Sequence, residues 1–109
     1  MAETAAAPFR LAPGPDGNLA AHGPLTFATA RAARLLGLSA LKDAPQVRQI
    51  DCAGVNACDS AGLAVLLDWL AAAKLAGRSL SFTGLPSELM ALGRISDLDA
   101  LLARGVSAP

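Results

Sequence analysis

The 109-residue sequence predicts an α/β fold, a small mixed four-stranded sheet in the order β-β-α-β-α-β-α-α with its helices packed on it. Three observations predict it. Apolar runs with helical spacing, each followed by a glycine, lie between short stretches of strand-like alternation. A dense block of turn residues, Pro13-Gly14-Pro15-Asp16-Gly17, separates the first two of those stretches. Finally, two helical crossovers between strands demand parallel pairing among strands two, three and four, which leaves the first strand antiparallel at an edge.

Taken in order, residues 1–7 read as a tail, and the folded domain is expected over 8–104. Phe9-Arg10-Leu11 alternates as a short strand, and residues 18–22 form its hairpin partner until Gly23-Pro24 breaks it. Thr26 is the expected N-cap of a helix that runs to Leu36, with Gly37 as its stop. Pro45 punctuates the chain, and residues 47–52 read as the third strand. Asp59 caps the next helix, residues 60–76, which ends at Gly77. Residues 79–83 alternate as the fourth strand. Gly84-Leu85-Pro86 turns, Ser87 opens a short helix through residue 92, and a last helical piece over 97–103 stops at Gly105.

Composition narrows the function. Lys+Arg and Asp+Glu both number 9, so the chain has no net charge with which to grip nucleic acid or an anionic bilayer. No run reaches the roughly 20 apolar residues of a membrane span. Glu3 stands where a signal peptide would carry positive charge and Pro8 arrives before any apolar block, so a cytoplasmic location is expected, with no direct membrane insertion. Cys52 and Cys58 are too few for a disulfide scaffold, and the lone His22 is far from both in sequence. They read as small buried thiols, and neither metal nor cofactor is expected. An enzyme is disfavoured as well. Gly14-Pro15-Asp16-Gly17 lacks the Lys-Ser/Thr of a phosphate loop, no motif brings a histidine to Ser60, and strand-end and cap duties explain Asp51 and Asp59.

The helix after Asp59 carries the functional argument. Leu63, Leu66, Leu67 and Leu70 fall on one stripe, as on a helix lying against a sheet. Val65, Trp69, Ala72 and Ala76 fall nearly opposite, where a polar back would be normal. Two readings stay open for Trp69. Another helix of the same domain covers it, or it anchors a partner protein among small residues. The partner reading is adopted here, with the expectation that Trp69→Ala costs binding more than stability. Ser60 lies in the first helical turn, where free amides and the dipole favour an acceptor or a phosphate. Gly62 costs about 1 kcal/mol against Ala inside a helix, which suggests close backbone approach there.

Asp51-Cys52-Ala53-Gly54-Val55 followed by Cys58-Asp59-Ser60-Ala61-Gly62-Leu63 resembles the strand-to-helix signature of STAS domains, the family of anti-sigma factor antagonists and their relatives. The element order resembles the STAS fold from about Phe9 to Leu102. Within the family the chain looks most like the MlaB-like STAS subunit of the Mla system, the ABC transporter that maintains outer-membrane phospholipid asymmetry. Gly23-Pro24-Leu25-Thr26-Phe27-Ala28-Thr29, the leucine run into Asp68-Trp69-Leu70, and Leu92-Gly93-Arg94-Ile95 with Leu98-Asp99-Ala100-Leu101-Leu102 carry that likeness. Thr26 replaces an Asp more usual in anti-sigma factor antagonists. The resemblance implies a non-catalytic subunit held at the inner membrane through the transporter complex. It would bind and regulate the transporter ATPase through Ser60, flanked by Asp59, Ala61 and Gly62, and the apolar back of the helix adds Val65 and Trp69 to that expected contact. The alternative it leaves is an anti-sigma factor antagonist switched when an anti-sigma factor kinase phosphorylates Ser60.

Overall fold

Arg10–Pro13 (β1) and Leu19–Leu25 (β2) pair antiparallel, with Arg10 opposite His22 and Pro13 opposite Leu19 in this computed structural model, which describes residues 8–108. The expected tail over residues 1–7 lies outside the described residues. The chain then alternates helix and strand: Ala30–Asp43 (α1), Gln49–Cys58 (β3), Ser60–Leu75 (α2), Ser81–Thr83 (β4), Ser87–Ile95 (α3) and Asp99–Arg104 (α4). Strand order is β1-β2-β3-β4, with β2/β3 and β3/β4 both parallel. This is the mixed sheet that the two helical crossovers require.

Along β3 the buried Ile50 and Cys52 alternate with the exposed Gln49, Asp51 and Ala53, so one face of the sheet meets the core and the other meets water. The alternation then changes phase. Ala20 stands opposite Asp51 but His22 stands opposite Gly54, an irregularity that brings Val55 back to the core side. Asp51 secures it, its Oδ1 accepting from the Ala53 N–H at 2.9 Å. A second shift falls between Gly23 and Pro24, and there the structure departs from expectation. Gly23-Pro24 does not end β2, because Pro is tolerated at a bulge. Gly23 takes φ +97°, and a Cβ there would press on the Pro8 carbonyl at 2.6 Å.

The larger departure concerns α1. Gly37 does not stop it. The helix continues to Asp43, just before Ala44-Pro45, and Gly37 is buried in its middle. The reason is steric: a Cβ on Gly37 would collide with the Trp69 indole. Thr26 is not the residue before the helix either. It joins Thr29 in a turn, where the Thr26 N–H donates to Thr29 Oγ1 at 3.0 Å and that hydroxyl donates to the Pro24 carbonyl at 2.8 Å.

Two further contacts close the domain. Arg78, just after α2, donates from its guanidinium to the Leu41 carbonyl at the end of α1, and to the carbonyls of Ala44 and Val47 at 3.0 Å each. It thereby satisfies the Leu41 acceptor that the helix end leaves free and ties the following turn to it. Beyond α4, Leu80 and Val106 form an antiparallel bridge through two hydrogen bonds of 2.9 and 2.8 Å along the outer margin of β4.

Candidate functional site

The first turn of α2 is built from its cap. Asp59 has extended backbone angles, and its Oδ1 accepts from the N–H groups of Ala61 at 2.9 Å and Gly62 at 3.1 Å. That is the N-cap the sequence implies. The other oxygen, Oδ2, accepts from the Phe27 N–H at 2.9 Å, so one carboxylate joins the β2–α1 loop to the start of α2. The Phe27 amide holds the Asp59 carboxyl below its usual value; partial burial opposes this, and the Gly62 and Ala61 amides add to the lowering. The carboxylate is therefore charged throughout the neutral range.

Ser60 follows at the surface, with Ala61 half-buried and Ala64 exposed one turn on. Gly62 faces the other way. A Cβ there would collide with the Leu25 carbonyl, so the close backbone approach its sequence suggests is to the end of β2, inside the domain.

Val65 and Trp69 require correction. Expected on an outward apolar face, they are 3% and 0% exposed. The apolar back of α2 is the seat of α1. The Trp69 indole lies over Gly37, its Nε1–H donates to the Arg34 carbonyl at 3.2 Å, and its ring meets those of Phe9 and Phe82 at centroid distances of 6.1 and 6.5 Å. A helix of the same domain covers Trp69, so Trp69→Ala is expected to cost stability first. The Arg34–Asp68 ion pair, 3.0 Å apart and half exposed on both sides, lies along the same α1–α2 seam.

What the surface offers beside Ser60 is different. Two shallow grooves flank the start of α2. One is lined by Phe27, Arg31, Ala61 and Ala64, the other by Cys58, Ser60, Glu88 and Ile95. Phe27 and Ile95 are 85% and 82% exposed, among the most exposed large apolar side chains of the described residues. Sequence reasoning missed both as site residues. The available signal for Phe27 was an aromatic within a Thr-Phe-Ala-Thr turn, where no helical or strand period calls for one.

The two cysteines are free thiols. Burial, with a smaller push from Asp51, raises the Cys52 thiol to about 12. Cys58 is raised by burial, then by the charges of Glu88 and Asp59. Neither supplies a thiolate at neutral pH. Among the described residues no group of three or more His, Cys, Asp or Glu side chains could hold a metal ion, and no helix is long and apolar enough to cross a membrane.

Comparison with known proteins agrees with the fold. The family model described as "Mlab, STAS domain" matches residues 12–103. Among solved structures, the unphosphorylated form of the anti-sigma factor antagonist SpoIIAA superposes with a TM-score of 0.56 over 93% of this chain and 89% of that one. At 16% identity the likeness is one of fold. No curated protein matches the chain.

Proposed function

Because this chain belongs to the STAS domain family, in its MlaB-type branch, we propose that it is the non-catalytic subunit that binds and regulates the ATPase of an Mla-type ABC transporter maintaining phospholipid asymmetry of the outer membrane. On this reading the domain spans 8–104 and works in the cytoplasm at the inner membrane, held there by the transporter complex. It needs no cofactor. Contact is made by Asp59, Ser60 and Ala61 at the start of α2, with Gly62 setting the depth of that turn from within. The observation that carries the reading is the exposed Ser60, in a helical turn whose backbone the Asp59 cap fixes, at the edge of one of two grooves that flank the start of α2. Such a surface is suited to a tight protein contact.

The test is a titration of the purified chain against the Mla-type ATPase subunit of the same organism. Ser60→Glu puts an unpaired charge into the contact and is expected to weaken binding by more than about tenfold with an unchanged melting temperature. Equal affinities for wild type and variant would end the reading. A second reading, an anti-sigma factor antagonist, is favoured by one feature: Ser60 is open to a kinase. Incubation with the cognate anti-sigma factor kinase and mass analysis of the chain would then find phosphate on Ser60.

A further inference from the structure

The grooves beside Ser60 differ in charge. On the Phe27 side, Arg34 is neutralised by Asp68 at 3.0 Å, while Arg31 has no carboxylate partner among the described residues. On the Ile95 side, Asp59 and Glu88 are both acidic. The oxygens of Asp59 already accept three N–H bonds, so Glu88 is the carboxylate left to meet a cation. Each groove thus sets one exposed apolar side chain beside one charge, Phe27 with Arg31 and Ile95 with Glu88.

Its aromatic is also held in place. Phe27 stands in solvent, yet its backbone is fixed by Asp59 and by the Thr26–Thr29 turn. Docking an already ordered loop avoids part of the entropy cost of association.

We propose that Phe27 and Ile95 are the twin apolar anchors of this docking surface, and that they seat a partner protein segment carrying a carboxylate opposite Arg31 and a cation opposite Glu88. This rests on the reading above and adds the chemistry that the partner must present. A second copy of the chain could match the polarity by two-fold rotation, with Arg31 facing Glu88. That arrangement would bring two α2 N-termini head to head, like ends of two dipoles, whereas a different protein carries no such penalty.

The experiment measures affinity for the purified Mla-type ATPase subunit at low and high salt, with melting temperatures in parallel. Phe27→Ala keeps the backbone bond to Asp59 and is expected to lose binding about thirtyfold without loss of melting temperature. Ile95→Ala should lose about tenfold. Arg31→Glu and Glu88→Lys should each slow association several-fold at low salt, with the effect fading as salt rises. If wild type binds and Ser60→Glu does not, while Phe27→Ala and Ile95→Ala bind as wild type, the anchors are wrong and the functional reading survives. If wild type itself fails to bind, the functional reading falls and this inference falls with it. Concentration-dependent dimerisation of the isolated chain that Phe27→Ala abolishes would assign the surface to a second copy and overturn the proposal.

Discussion

Asp59 does three things with one carboxylate: it caps α2, fixes the Phe27 loop and sets the position of Ser60. Asp59→Ala is expected to cost about 1 kcal/mol of stability from the lost cap, and to free the Phe27 loop, seen as faster amide exchange at Phe27. The pH dependence has a definite sign. The folded carboxyl lies below the ordinary 3.8, so its contribution is complete above that value and fades as pH falls through the lower folded one. Asp59→Asn should therefore flatten the acid limb of a melting-temperature profile below about pH 4. Half of this residue was legible in the sequence. An Asp directly before an apolar helical run is a cap by local chemistry alone. The bond to Phe27 spans 32 positions, and no local pattern encodes it.

At the scale of elements, α1 and α2 fit together through one large side chain and one absent side chain. Gly37→Ala would drive a methyl into the Trp69 indole and is expected to cost about 1–3 kcal/mol in denaturant unfolding. Trp69→Ala should cost about 3–5 kcal/mol by leaving a cavity. Combining Gly37→Ala with Trp69→Leu should cost less than the sum of the two single changes, since the smaller side chain makes room for the methyl. Periodicity alone revealed both apolar faces of α2 but not what covers the second, because a buried helix back and a partner-binding back have the same spacing. The missing clue lay in α1, where buried Ala33, Gly37 and Leu41 recur every four residues. With Gly37 taken as a terminator, the stripe is cut short before Leu41.

For the molecule as a whole, topology was the most legible level, since strand–helix–strand crossovers admit one handedness and one pairing sense. The two irregularities between β2 and β3 were not legible, because a bulge depends on which partner residue lies opposite. Global stability depends on Arg78, which ties the end of α1 to the chain leading into β3 through the carbonyls of Leu41, Ala44 and Val47. Arg78→Ala removes the guanidinium from the Leu41 and Val47 carbonyls and leaves Ala44 with the Val47 N–H alone, and is expected to lower stability by about 2–4 kcal/mol, with Arg78→Lys recovering only part because an ammonium lacks the planar fork. Chemical denaturation of the three proteins would check this.

The Leu80–Val106 bridge has a consequence for how such a chain can recruit others. Many adaptors capture a peptide by letting it extend a sheet, which requires a free row of main-chain donors and acceptors. Here the Leu80–Val106 bridge already takes the main chain just before β4, which is itself only three residues long, and the opposite rim is a four-residue strand ending in Pro13, which donates nothing. Both rims thus offer a guest only a short run of main chain, which favours reading by shape and charge over reading by backbone.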